Sequence, residues 1–352
     1  MGRRYVVQET RRPARHIICR LCQRAAAQCW ATGRSRVSLE DISDGLPPYN
    51  EEVVAVEMDP MLASAYERLE EDITAALREH HGNPSVNSTA MNALLLYPDR
   101  PYGLGTLYGY QTDEETGERE RFVISEPADL DENYIYAKER RLVEEVKTEL
   151  SNGRNVQVFA VYTRKRDVTR RLQELLRNEG IRAEVLTAET PPEQREAWYE
   201  RQLRNGMQVC ICHPKLVQTG LDLLTFPTIF FVQTGYSIYT LRQASRRSWR
   251  IGQKEPVRVA FFTYSDTAQE SCLRLMGKKL LVSLAMEGKL HAEGLQAMDE
   301  DDDLLTAMAR ELVTRQGVGE QAAEVWRALT KVTTVAGASV IEKSAVSEPT
   351  DV

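Results

Sequence analysis

The sequence predicts an α/β fold: a parallel sheet with helices on both faces, preceded by a mostly helical linker region. Three observations carry this. From Glu139 onward, short β-rich runs alternate with amphipathic helical stretches, the pattern of successive βαβ units. Gly or Asn-Gly stands where several of those helices should stop. The chain has 352 residues, 42% hydrophobic and 28% charged, enough for about two units of ordinary size.

The elements follow in order. Residues 1–38 form a basic arm with no clear periodicity. Within 39–138, Leu46-Pro47-Pro48 breaks the chain and Glu52 to Met58 alternates like a short strand. Asp59-Pro60 then starts a helix, with Leu62, Tyr66, Leu69, Ile73 and Leu77 at helical spacing and Gly82 at its end. A second helix is expected over Ser88 to Tyr97, then an exposed Gly- and Tyr-rich loop from Pro98 to Gly117. The regular domain spans 139–290. Its helices are Glu139 to Leu150, Lys165 to Asn178, Pro191 to Asn205, Ile238 to Arg250 and Thr267 to Glu287. Its five strands are Val156 to Tyr162, Arg182 to Leu186, Gln208 to Cys212, Thr228 to Val232 and Val257 to Tyr264. Ligands of such sheets are expected at the carboxyl ends of the strands. Residues 291–330 hold the acidic run Asp299 to Asp303 and further helices, and 331–352 read as a disordered tail.

Composition excludes several classes. No run approaches 18 consecutive apolar residues, so no membrane partner is expected. The Arg-rich start, with nine Arg and one acid between Gly2 and Arg36, lacks the apolar core of a secretory signal. Six Cys are too few for a disulfide scaffold and fit a reducing, cytoplasmic setting, on the nucleoid if the source is prokaryotic. At a net charge of −7, any nucleic-acid contact must come from a local basic surface. His16, Cys19, Cys22 and Cys29 suggest zinc, but a second well-spaced ligand pair is missing, so no metal site is expected. Cys210 and Cys212 bracket Ile211 on a core strand and read as apolar packing.

Residues 243–253, QASRRSWRIGQ, are the most informative stretch. On a continuous helix, Gln243, Arg247 and Arg250 would be spaced i, i+4, i+7 and share one face. Two guanidinium groups aimed together suit a phosphate, which they bind through paired N–H donors.

This stretch resembles motif VI of the superfamily-two helicases of the SWI/SNF-like branch. Other pieces lie in matching order. Residues 156–163 are similar to motif IV, Leu186 to Thr190 with Arg195 to the following family segment, and Thr219-Gly220-Leu221-Asp222 to motif V. Thr267 to Leu281 resembles the brace helix, and Leu39 to Met58 the linker leaving the first motor lobe. Three departures stand out. Val217-Gln218 precede motif V, where the family has two Gly. Asp222 replaces its Asn, and Tyr236-Ser237-Ile238 its Trp-Asn-Pro. The 352 residues also contain no Gly-x-x-x-x-Gly-Lys-Ser/Thr loop and no Asp-Glu-x-His box; Gly277-Lys278-Lys279 lies inside a helical pattern.

The resemblance implies a second RecA-like lobe, with ATP and Mg²⁺ bound only jointly with a P-loop-bearing first lobe encoded separately. Arg250 would be the arginine finger and Arg247 a second contact on the γ-phosphate side. Gln243, Gly220 and Asp222 would shape the nucleotide side. Thr219, Lys215, Thr163, Arg164 and Lys165 would follow the backbone of DNA, or of RNA. Alone, the chain is expected to show no appreciable ATPase. Two other readings compete: a RecA-like module that binds nucleic acid or protein without catalysis, and a truncated inactive fragment.

Overall fold

The computed structural model describes residues 46–112, 117–163, 166–217, 221–287, 303–314 and 321–330. The chain divides into two units, Pro47–Val332 and a second made of Met1–Leu46 and Thr333–Val352. The first unit holds the sheet and its helices.

Six parallel strands form one sheet: β1 (Tyr49–Val56), β4 (Val156–Phe159), β5 (Ala183–Leu186), β6 (Val209–Cys212), β7 (Thr228–Phe231) and β8 (Val257–Tyr264), in the order β1-β8-β7-β4-β6-β5. The five expected strands are all present. The sixth, expected at Glu52 to Met58, starts earlier and joins the main sheet beside β8, with Tyr49 opposite Val257 and Val56 opposite Tyr264. β2 (Leu107–Thr112) and β3 (Arg119–Ser125) make a separate antiparallel hairpin. That corrects the expected exposed loop over Pro98 to Gly117. Tyr108, Tyr110, Phe122 and Val123 carry β propensity, but Gly103, Gly105, Gly109 and Gly117 dominate the local signal.

Strand alternation sorts the core onto the two sheet faces. On one face Val156, Val158, Val209, Ile211, Phe230, Ala260 and Phe262 pack against Leu142 and Val146 of α3 (Ala137–Ser151) and Leu172 and Leu176 of α4 (Thr169–Asn178). On the other, Phe159, Phe231, Phe261 and Val259 meet a thicker layer. It contains α1 (Pro60–Glu79), α2 (Pro84–Leu96), α5 (Arg195–Arg204), α6 (Ile238–Ser245), α7 (Ala268–Glu287), α8 (Asp303–Thr314) and α9 (322–330). Trp326 of α9 is fully buried with its ring 4.5 Å from Phe261. Burying a ring of that size contributes roughly 1.5–3 kcal/mol or more. The core therefore runs unbroken from α1 to the last described helix.

The helices begin where the sequence provides caps. Pro60 sits at the first position of α1 behind Asp59. Asn83 caps α2, its side-chain oxygen accepting from Ser85 N at 3.0 Å. Ser237 caps α6, its Oγ accepting from Thr240 N at 3.1 Å.

Candidate functional site

The helix expected over Ile238 to Arg250 ends at Ser245. Ile238, Leu241 and Ala244 bury one side of α6, and Arg246 leaves helical geometry at φ −94°, ψ 5°. A turn pinned from three directions comes next. Arg247 O accepts from Leu223 N at 3.1 Å, and Ser248 Oγ donates to Phe226 O at 2.6 Å. Trp249 Nε1 donates to Pro47 O at 2.7 Å, and its ring lies 5.0 Å from Tyr49. Gln253 Nε2 closes the turn on Leu224 O at 3.0 Å and Ser248 O at 3.2 Å. Gly252, at φ +103°, adopts backbone geometry that a side chain would strain. The helical-face argument for Gln243, Arg247 and Arg250 is thus corrected: each anchor satisfies a backbone or buried polar group at the cost of the helix, and the turn presents the arginines.

Arg250 Nη1 lies 3.1 Å from Asp222 Oδ1, with both side chains substantially exposed (39% and 56%). Arg247 is buried beside them. Burial, then the neighbouring Arg250 charge, holds its guanidinium below the usual arginine value, partly offset by Asp222. Two like charges are therefore held close at one edge of the fold, with the Asp222 carboxylate beside them. Gln243 is half-buried one helical turn earlier. Thr219 and Gly220 lie outside the described residues.

The arginine turn sits at the amino ends of β1, β7 and β8, since its anchors Pro47, Phe226 and Leu223 precede those strands and Val257 N donates to Pro48 O at 2.8 Å. The arginine turn thus lies at the edge opposite the carboxyl ends, where a ligand of such a sheet was expected. α6 leaves the carboxyl end of β7 and runs back antiparallel to it, so its exit faces the opposite edge.

Two further candidates, Thr163 and Lys215, lie at the carboxyl ends. Thr163 is half-buried just past β4, and Gln233 Oε1 accepts from Val161 N and Tyr162 N at 3.1 and 3.0 Å, tying the tips of β7 and β4 together. Lys215 is exposed in the short turn after β6, where its backbone N donates to His213 Nδ1 at 3.0 Å. Burial, with the Lys215 charge, lowers the His213 pKa to about 4, so the ring is the neutral acceptor that this contact needs. Arg164 and Lys165 lie outside the described residues. The candidates thus divide between two opposite edges of one sheet.

Several charged residues escaped the sequence reading. Arg242 on α6 is buried and its Nη1 contacts both Glu51 oxygens at 2.6 and 2.7 Å; Tyr49 OH also donates to Glu51. On the other face, Arg258 bonds Glu52 at 2.6 Å, Glu149 at 2.7 Å and Glu145 at 2.9 Å. Glu149 is desolvated, but hydrogen bonds from Thr228, Arg258 and Arg154 hold its carboxyl below the usual range. The signal was present: adjacent acids in a strand face opposite sides of the sheet, so Glu51-Glu52 requires a cation on each. Among the described residues, no group of His, Cys, Asp and Glu could hold a metal ion; His16, Cys19, Cys22 and Cys29 lie outside them. Cys210 and Cys212 are buried, and burial pushes the Cys212 thiol well up, as suits packing. No described helix is long and apolar enough to cross a membrane.

Comparison with known proteins bears on this geometry. Residues 137–252 match the helicase conserved C-terminal domain. ATP-dependent helicase fft3 of Schizosaccharomyces pombe is 25% identical over 166 residues, which is 47% of this chain and 18% of that protein. Helicase SWR1 of Cryptococcus neoformans var. neoformans is 29% identical over 150 residues, 42% of this chain and 12% of that protein. The chain thus matches only a small part of either relative's length. The crystal structure of the C-terminal part of the Fun30 ATPase domain shares the fold, with a TM-score of 0.51 at 13% identity, covering 77% of this chain and 98% of that one. Sheet topology and these matches converge: residues 137–252 match the helicase conserved C-terminal domain, and the chain has a RecA-like fold, a parallel sheet with helices on both faces.

Proposed function

We propose that this chain is the second lobe of an ATP-driven DNA translocase, presenting Arg250 and Arg247 to a nucleotide whose phosphates and Mg²⁺ are held by a P-loop-bearing lobe. The observation that carries this reading is the exposed Arg250–Asp222 pair beside buried Arg247. An exposed ion pair of this kind contributes only about 0–1 kcal/mol, so Arg250 can exchange Asp222 for a phosphoryl oxygen at little cost. Arg247 would supply a second positive charge and Gln243 a polar neighbour; Gly220 would let the motif V backbone approach.

The donor set fits the triphosphate and not the metal. Guanidinium groups suit phosphoryl oxygens, whereas the described residues provide no cluster for a cation, so Mg²⁺ would depend on the other lobe. With nucleotide and metal in place, the arginines would stabilise charge on the transferring group, an effect of about 10³–10⁵ in rate. At the other sheet edge Thr163 and Lys215 would follow the phosphates of one DNA strand, reading no bases; Arg164, Lys165 and Thr219, outside the described residues, are the further candidates for that track. The division of candidates between two edges suits this reading, with nucleotide on one side and the track on the other.

The test is DNA-stimulated ATP hydrolysis by the chain mixed with a P-loop-bearing lobe. Turnover should need both proteins and DNA, and should fall by about 10³ or more in Arg250→Ala. Turnover by the purified chain alone, abolished in that variant, would refute the division of labour.

A further inference from the structure

The β2–β3 hairpin lies outside the matched helicase segment and takes no part in the proposed motor chemistry. Its inner face is packed: Leu107, Gly109 and Ile124 are buried, Phe122 is stacked on His80 at 3.9 Å, and Ser125 Oγ donates to Asp72 of α1 at 2.6 Å. A side chain at position 109 would put its Cβ 2.3 Å from the Phe122 ring, so Gly109 allows that ring to lie across the strand. Asn83 Nδ2 further ties the hairpin to the start of α2 through Tyr110 O at 2.8 Å. The platform is rigidly seated.

Its outer face differs in kind. The register sets Tyr108 opposite Val123, Tyr110 opposite Arg121 and Thr112 opposite Arg119, so all six share one side. The Arg121 guanidinium lies over the Tyr108 ring at 4.2 Å and that of Arg119 over Tyr110 at 4.4 Å. Neither arginine is in an ion pair with any described residue. Tyr110 and Val123 are 37% and 54% exposed. Glu120, opposite Gln111, falls on the other side. Alternation has therefore set Arg119, Arg121 and the two tyrosines on the side opposite Glu120.

A guanidinium held over a tyrosine ring is already partly ordered and loses less freedom on binding than a free side chain would. Alternate strand residues are about 7 Å apart, comparable to the step between successive phosphates of a nucleic-acid strand. A two-stranded ribbon also fits a duplex groove. A cleft of about 720 Å³ lined by Glu79, His80, Asn83, Tyr110 and Arg119 lies alongside the hairpin.

We propose that the outer face of the β2–β3 hairpin is a second nucleic-acid contact, in which Arg119 and Arg121 bind adjacent backbone phosphates and Tyr108 and Tyr110 hold them in place. It rests on the reading that the chain works on DNA, and adds a contact away from the strand tips. The test uses the 352-residue chain and a fluorescent duplex, titrated by anisotropy across salt concentrations. Arg119→Gln with Arg121→Gln should weaken binding at least about tenfold and flatten the log–log salt dependence by about 2, near 0.9 per lost phosphate contact. Arg204→Gln, the same kind of charge change on exposed α5, should leave both unchanged. Lys215→Ala separates the two ideas. If it binds normally while the hairpin variant is weak, the strand-tip track fails and the hairpin stands; the reverse sinks the hairpin alone. Wild-type affinity and salt slope in the hairpin variant, or capture of a poly-glutamate peptide by this face with no loss of duplex binding on mutation, would overturn the proposal.

Discussion

Two arginine–carboxylate pairs stand within nine residues of each other and differ in almost everything but chemistry. Arg242–Glu51 is buried, with both side chains 4% exposed and contacts of 2.6 and 2.7 Å. Arg250–Asp222 is open to solvent at 3.1 Å. The first joins α6 to β1 and adds a cation–π contact to Trp326 at 5.4 Å, so it binds three distant parts of the chain together. The second joins two turns at the rim and leaves its guanidinium available. A buried pair cannot give up its partner without stranding a charge, while a rim pair can. The arginine that holds the helix is therefore not the arginine proposed to act.

The comparison breaks most visibly at Arg250. Arg250→Ala should reduce reconstituted ATP turnover by about 10³–10⁵, while the unfolding free energy of the isolated chain in urea changes by no more than about 0.5 kcal/mol. A variant that lost folding instead would place Arg250 with Arg242. The next effect is the mirror image. Arg242→Ala should destabilise the fold by about 3–5 kcal/mol, because Glu51 is left buried and unpaired, and the double replacement Arg242→Met with Glu51→Leu should recover most of it. Chemical denaturation measures both.

A smaller loss, about 1–3 kcal/mol from overpacking against Phe122, is expected for Gly109→Ala. It should leave ATP turnover by the folded fraction unchanged. The smallest effect is a pH dependence at the opposite edge. The His213 pKa, lowered to about 4 in the folded chain, lies below its unfolded value near 6.5. Its contribution is therefore complete above about pH 6.5 and is lost as pH falls toward 4. Melting temperatures between pH 7.5 and 4.5 should decline less steeply in His213→Asn than in the parent.

Much of this was legible beforehand. Val156, Phe230 and Phe261 lie in apolar runs that announce buried strands, and Asn152-Gly153 and Gly180 mark the helix ends. The turn after Ser245 was not, because Arg246 to Arg250 have ordinary helical propensity and the helix is ended by distant partners, Phe226, Leu223 and Pro47. Tertiary contacts overrode a local preference. The edge on which the arginines sit was hidden for the same reason: it follows from the direction of α6, and the general rule about strand ends points the other way. The hairpin was masked by its glycines, whose role appears only when Phe122 is seen lying across Gly109.

The sheet order has a practical corollary for anyone cutting the gene. The matched segment 137–252 omits β1 and β8, so excising it would leave β7 as a bare rim with Ile229 and Phe231 uncovered. Such a fragment should be recovered as insoluble aggregate, whereas a boundary upstream of Leu46 and beyond 330 keeps every strand beside its neighbour.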